Sequence, residues 1–370
     1  MDELTLFDML PEEEAKKWKP QKSTDWKWSF KDYPKETNGL KVFSCFACGG
    51  GSTMGYKLAG CEVLGCVEID PKMNEVYVKN HHPKYNYLMD IRDFNNIPNE
   101  ELPEELFHLD ILDGSPPCTT FSMAGDREDS WGKEKKFREG QKMQTLDDLS
   151  FVFIDTAAKL KPKVVIMENV EGILLGEAWS YVQRIYKHFK DIGYQLKHYL
   201  CRGEYMGIPQ ARHRVFFIAV RNDIEFDFHK LDMSFNYAPI TYGQIKTGDG
   251  IELNHSTRIY KLLCKVKDSD KSLSDIVKRE EGKDSLFNYC ILQEDYIFST
   301  ITAGSAVPPM RAKEKTYCSL DDIIHAQTFP EDYDFEKKNM TNVRYICGMS
   351  VPPVMMKRVV ERVIETGVFK

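Results

Sequence analysis

The sequence has no long apolar run, no surplus of basic residues and little cysteine pairing, and each absence removes a class of function. No apolar stretch in the 370 residues approaches the length of a membrane span. The first segment, Met1 to Glu14, is acidic and has neither a basic leader nor an apolar core. Export and membrane insertion are therefore not expected, and an intracellular location is. The formal net charge is −7, which argues against a protein that coats nucleic acid indiscriminately, because that mode needs a broad excess of Lys and Arg. A local DNA groove stays open. One basic stretch, Lys133 to Lys142, holds Lys135, Lys136 and Arg138, although a solvated loop is the commoner meaning of such a run. The ten cysteines are scattered, with no metal-type spacing beyond the weak Cys45-Phe46-Ala47-Cys48, and they read as reduced thiols. No metal is expected, and no internal repeat or low-complexity tract is visible.

What is present is an apolar content of 42%, enough for one large domain plus a smaller lobe. Residues 1–38 carry Trp18, Trp26 and Trp28 among Lys, Glu and Pro without sustained periodicity, and read as a partly ordered extension. From Leu40 the pattern changes. Short apolar strands at Lys41–Phe46, Glu62–Glu68, Leu109–Leu112, Val164–Met167 and Val215–Val220 alternate with helix-length segments such as Asp148–Lys161 and Ala178–Asp191. That alternation predicts an α/β fold, a parallel sheet with helices on both faces, over residues 39–221. Regularity fades after Arg221, so 222–333 reads as a separate lobe, and 334–370 as a segment returning to the large domain. Its end, Val351 to Phe369, places Val354, Met355, Val359, Val360 and Val363 at helical spacings after a Pro-Pro start.

Three places carry chemistry. The first strand leads into Gly49-Gly50-Gly51 and a helix, an arrangement that lets a nucleotide-like cofactor approach the sheet edge. Glu68, at the end of the second strand, suits ribose hydroxyls, and Asp90 suits an adenine amino group; an exposed strand-end carboxylate and a helix cap are the respective alternatives. In Leu109-Asp110-Ile111-Leu112-Asp113-Gly114-Ser115-Pro116-Pro117-Cys118 an apolar strand runs into a rigid Pro-Pro turn that presents a thiol beyond its carboxyl end, where open α/β sheets place their ligands. Glu168, ending the strand Val164–Val170, and Gln210-Ala211-Arg212-His213-Arg214 add an acid and two guanidinium groups at the same sheet edge. Glu168 pairing with Arg212, and Arg214 anchoring a loop, are the ordinary alternatives.

The ordered set Phe46-Ala47-Cys48-Gly49-Gly50-Gly51, Glu68, Asp90, Gly114–Cys118, Glu168-Asn169-Val170, Gly207–Arg214 and Gly348-Met349-Ser350-Val351-Pro352-Pro353 resembles the motifs of the DNA cytosine-C5 methyltransferases, from about Val42 to the C-terminus apart from the variable lobe. The resemblance implies a Rossmann-like S-adenosylmethionine-dependent methyltransferase sheet with helices on both faces, plus a smaller target-recognition lobe. It assigns the cofactor S-adenosyl-L-methionine to Phe46, Gly50, Gly51, Glu68, Ile69, Asp90, Ile91 and Leu149, the last of which could equally be plain core. Cys118 is then the nucleophile, Glu168 the acid that engages the target base at N3, and Arg212 and Arg214 the pair beside thiol and ring. The implied partner is double-stranded DNA bound by a monomer, with a cognate restriction endonuclease left open. Departures from the family pattern are Ser44 where an acid is usual, Cys48 where glycine is usual, Met349 where asparagine is usual, and Asp321-Asp322-Ile323-Ile324-His325 in place of an Arg-Glu-x-x-Arg pattern. They bear on the shape of the cofactor turn and on how the lobe is braced.

The implied reaction adds the thiolate to cytosine C6, methylates C5, loses the C5 proton and eliminates the thiol. The base must first leave the duplex. Thr119–Thr145, with Trp131, is the expected loop closing over it, and residues Asn222 to Tyr296 the expected recognition lobe, with Arg258, Lys261, Lys265 and Lys267 as phosphate contacts. Two other readings compete. A branch methylating transfer RNA usually carries a Cys-Phe-Thr signature absent from this sequence, and a non-catalytic DNA-binding relative would generally have lost Cys118 or Glu168.

Overall fold

The computed structural model describes residues 20–117, 148–176, 178–286, 289–304 and 307–370, with two short strands, Glu134–Lys135 and Gln144–Thr145, in the intervening stretch. Seven strands form the central sheet: β1 (Lys41–Cys45), β2 (Glu62–Glu68), β3 (Tyr85–Leu88), β4 (Ile111–Gly114), β5 (Val164–Val170), β6 (Tyr194–Arg202) and β7 (His213–Arg221). Their order is β3-β2-β1-β4-β5-β7-β6.

Strands that are apolar at successive positions can be covered on both faces, and here neighbouring residues enter different cores. Phe43, Leu112, Val165, Met167 and Phe217 pack against Phe153 and Ile154 of α4 (Leu149–Leu160) and Val182 and Ile185 of α5 (Ala178–Asp191). Val42, Ile111, Val164, Ile166, Phe216 and Ile218 pack on the other face, against Tyr56 of α1 (Gly51–Leu58) and Val354, Val359 and Val363 of α10 (Pro353–Glu365). The C-terminal apolar spacing is thus the buried stripe of α10, which begins on proline, where a missing N–H costs nothing. Two further helices follow β2 and β3: α2 (Pro71–His81), capped by Asp70, and the short α3 (Ile91–Asn96), capped by Asp90.

The expectation of a parallel sheet needs one correction. β1 to β5 pair in parallel, but β7 is antiparallel to both β5 and β6. Residues 203–212 join β6 to β7 without a crossover helix, a connection that antiparallel neighbours permit and parallel ones do not.

Beyond Arg221 the chain builds two cores. Leu262 and Leu263 of α6 (Arg258–Leu263) and Leu273, Ile276 and Val277 of α7 (Leu273–Glu281) form a small outer one. The other joins Tyr242, Phe298, Ile323 of α8 (Leu320–Ala326) and Ile346 of α9 (Met340–Met349) to Met54 of α1, Met73 and Val76 of α2, and Trp28. Between them Arg311 and Asp322, with side chains 1% and 0% exposed, form an ion pair at 2.7 Å. Asp322 also accepts from Tyr242 and the Thr247 amide, and Arg311 donates to the Thr247 and Gly248 carbonyls. Asp322, inside the segment that departs from the family pattern, therefore ties Tyr242, Thr247 and Arg311 together.

Residues 20–38 contain one 3-10 turn, Phe30–Asp32, in keeping with their lack of periodicity. They are nonetheless fixed: Trp28 is buried and its Nε1 donates to the Thr328 carbonyl at 2.8 Å. No helix among the described residues is long and apolar enough to cross a membrane. Among the same residues no group of three or more His, Cys, Asp or Glu is placed to hold a metal ion.

Candidate active site

The turn after β1 is left-handed at three residues. Phe46, Cys48 and Gly50 have φ of 58°, 47° and 82°, a region that costs side-chain-bearing residues and suits glycine. At Gly50 a second constraint applies, because a Cβ there would stand 2.0 Å from Nε2 of His81. At Gly51 a Cβ would meet the Val351 carbonyl at 2.1 Å. The turn thus accommodates a side chain at Cys48, where the family pattern has glycine, but not at the two positions that follow Gly49. Burial and the nearby Glu68 carboxylate push the Cys48 thiol up to about 12, so it stays uncharged.

Glu68 is buried and accepts from the Cys48 amide at 2.7 Å and the Asp70 amide at 2.8 Å. Burial raises its pKa, and these amides oppose the rise. A carboxylate offers about four acceptor positions, and the Cys48, Asp70 and Ile69 amides all engage this one. Asp90 caps α3 through the Arg92 amide and also pairs with the Arg92 side chain, which reaches Asp148 at 2.6 Å. The cap considered for Asp90 is therefore present. Phe46 is half-buried, with its ring 6.4 Å from that of Phe153, and Ile69 is half-buried. Ile91 and Leu149 are buried in the core of that face of the sheet.

On the neighbouring strand β4, Asp113 pairs in register with Ser44. It is buried, and accepts from Ser44 Oγ at 2.6 Å and Tyr56 Oη at 3.2 Å. Burial pushes its carboxyl up to about 7 against the pull of these hydroxyls. The acid absent at Ser44 thus stands one strand away, touching that serine. In the sequence Asp113 stands out only as an acid within an apolar strand, with no role attached to it. β4 continues into Ser115 and the Pro116-Pro117 turn, with Pro116 buried. Cys118, Trp131 and the Lys133–Lys142 stretch, apart from the short strand Glu134–Lys135, lie outside the described residues.

At the end of β5, Glu168 Oε1 is 2.7 Å from Nε of Arg214, with side chains 10% and 14% exposed. Arg212 does something else. Its Nη1 donates to the Ile301 carbonyl at 3.2 Å, and Nη2 to the Gly348 and Ser350 carbonyls, each at 3.0 Å. The ordinary alternatives are thereby reversed: Arg214 pairs with the acid and Arg212 anchors the loops. Gln210 extends the anchor, donating to the Ala326 carbonyl and Gln327, while Gln327 donates to the Ser350 carbonyl. His213 bridges Glu171 and Glu204, which raise its pKa.

Of the cations expected to meet phosphate, Arg258 pairs with Glu281 at 2.8 Å and Lys265 with Glu280 at 2.9 Å. Both pairs are on the surface, where such contacts contribute little and exchange readily.

The sequence profile of C-5 cytosine-specific DNA methylases matches residues 40–365. The type II methyltransferase M.NgoPII of Neisseria gonorrhoeae is 30% identical over 199 residues, 53% of this chain and 52% of that protein. Against this and comparable relatives the chain spans about half of the relative's length. The type II methyltransferase M1.HphI of Haemophilus parahaemolyticus is 23% identical over 340 residues, covering 88% of this chain and 87% of that one. Among solved structures, a triple mutant of Spodoptera frugiperda DNMT2 superposes with a TM-score of 0.60 at 16% identity, over 88% of this chain and 100% of the other, which shows a shared fold. With the profile matching most of its length, the chain belongs to the C-5 cytosine-specific DNA methylase family, whose methyl donor is S-adenosylmethionine.

Proposed function

We propose that this protein methylates C5 of cytosine within a specific sequence of double-stranded DNA, using Cys118 as nucleophile. The observation that carries this reading is the buried Glu168–Arg214 pair at the end of β5, beside the β4 end that leads through Pro116-Pro117 to Cys118. Cytosine C5 is a poor nucleophile because reaction there interrupts an aromatic ring. The Cys118 thiolate adds to C6 and forms a C–S bond, while a proton reaches N3 through the Glu168 carboxyl, which Arg214 orients. Phe46, Gly50, Gly51, Glu68, Ile69, Asp90, Ile91 and Leu149 would hold S-adenosylmethionine, which would supply an electrophilic methyl group for C5 and leave as S-adenosylhomocysteine. The C5 proton then leaves to a base, the C–S bond breaks, the thiolate is regenerated and the N3 proton returns to Glu168. Arg212 serves this chemistry by anchoring the approach to β7.

The target base is extruded from the duplex to reach these groups. Residues 39–221 with 334–370 make the catalytic unit and 222–333 the target-recognition lobe, acting as a monomer. A cognate restriction endonuclease is suggested by the type II names of the relatives.

DNA containing 5-fluorocytosine tests the mechanism, because fluorine blocks the final elimination after methyl transfer. A covalent complex on denaturing gels that disappears in Cys118→Ser, with cofactor binding retained, is the expected result. Persistence of the adduct in that variant, or its mapping to another cysteine, removes Cys118 from the reaction.

A further inference from the structure

The Gly49 carbonyl, in the middle of the cofactor turn, accepts two hydrogen bonds from distant parts of the chain. Tyr333 Oη donates to it at 2.6 Å and His81 Nε2 lies 3.1 Å away. A carbonyl can only accept, so the Nε2 of His81 carries the proton. Both side chains are buried, and burial together with Lys57 pushes the imidazole down to about 3, which keeps it neutral. On the other side of the same peptide, the Gly50 amide donates to the Ala47 carbonyl at 2.8 Å. Two residues back from Gly50, the Cys48 amide is held by Glu68. The carbonyl and the amide of the Gly49–Gly50 peptide are therefore both held by hydrogen bonds within the protein.

The N-terminal aromatic segment continues this support. The Phe30 ring lies 6.3 Å from both His81 and Tyr333. Its amide donates to Asp332 at 3.0 Å, next to Tyr333, and the Glu331 amide donates to the Trp28 carbonyl at 3.0 Å. Trp28 also grips the Thr328 carbonyl. Residues 328–333 are thus clasped by Trp28 and Phe30 on one side while Tyr333 reaches the turn on the other.

We propose that His81 and Tyr333 are positioning residues for the cofactor, fixing the Gly49 carbonyl so that the turn is preformed, and that the Trp28–Tyr33 segment holds Tyr333 in place for this task. This rests on the reading of the turn as the cofactor site. A turn pinned before binding spends less binding energy on ordering backbone, so loosening it lowers affinity without touching the reacting groups.

The test uses the full chain and S-adenosylhomocysteine, the demethylated product of the cofactor, titrated by calorimetry. Tyr333→Phe keeps the ring and removes one donor; loss of one neutral hydrogen bond corresponds to about a two- to tenfold rise in Kd. His81→Phe should give a loss of similar size, and Phe30→Ala a smaller one. In turnover the effect should fall on the KM for the cofactor rather than on kcat. Glu68→Ala separates the two layers of the argument. If Glu68→Ala binds normally, the turn is not the cofactor site and the underlying reading fails. If Glu68→Ala binds weakly while Tyr333→Phe has unchanged Kd and only a lowered Tm, the clamp is merely structural and the proposal is overturned. Normal affinity in Phe30→Ala beside weakened Tyr333→Phe overturns the part assigned to the N-terminal segment.

Discussion

Ser44 and Asp113 face each other across β1 and β4, and the serine hydroxyl donates to the buried carboxylate at 2.6 Å. The ionisable groups facing Asp113 are Tyr56 on α1, Glu168 on β5, Cys45 on β1 and Tyr77 on α2. Its carboxyl titrates near 3.8 in ordinary surroundings and is pushed up to about 7 here. Between these values the folded chain holds a proton that the unfolded chain has released. The associated stability is present below about pH 4 and is lost as pH rises through about 7, on the order of 4 kcal/mol in all. Asp113→Asn should remove this titration. In a series of urea midpoints from about pH 5 to about pH 8, the variant should decline less steeply than the parent, His213 contributing the remainder. A variant that declines in parallel with the parent clears Asp113 of the effect.

Glu168→Gln keeps the shape of the acid and removes its proton-carrying role. Single-turnover methylation should slow by about 10²- to 10⁴-fold, the range typical of a positioned acid or base. Cofactor affinity should be preserved, because Glu68 and the Gly50 turn lie at the end of other strands. An undiminished single-turnover rate would exclude Glu168 from contact with N3.

The buried pair Arg311–Asp322 tests how the lobe is braced. Arg311→Ala leaves the Asp322 carboxylate without its counter-charge at 0% exposure. Such a loss costs about 3–5 kcal/mol, measurable as a fall in the denaturant midpoint. A fall below about 1 kcal/mol would mean that Asp322 is satisfied by Tyr242 and Thr247 without the arginine.

Exchanging residues 222–296 for the corresponding lobe of a relative should change which sequence is methylated and preserve the chemistry. Conversion sequencing of DNA from cells expressing the chimera reads both at once. An active chimera that keeps the parental sequence context would place recognition elsewhere.

The strands and helices of the interior were legible because both faces of the sheet are covered, which turns each strand into an unbroken apolar run bounded by turn residues. Glu62–Glu68 and Ala178–Asp191 have the same limits in sequence and structure. Tyr85–Leu88 and Tyr194–Arg202 were not legible; both are outer strands of the sheet, and their half-exposed residues dilute the apolar signal. The antiparallel β7 was hidden for a related reason, since an apolar run carries no direction.

The sequence by itself determined that Glu168 and Arg214 stand at strand ends of the sheet, because the strands carry them there. Their pairing was decided by tertiary structure alone. Arg212 and Arg214 are two residues apart, a spacing that on one continuous strand would place them on the same face. Arg212, however, falls in the break between Gln210–Ala211 and His213–Arg221, so it turns toward Ile301, Gly348 and Ser350 while Arg214 meets Glu168. Ser44 and Asp113 are separated by 69 residues, and Trp28 and Thr328 by 300. No local pattern encodes contacts of that range, because they exist only when the sheet has aligned its strands and the C-terminal segment has packed against the turn after β1.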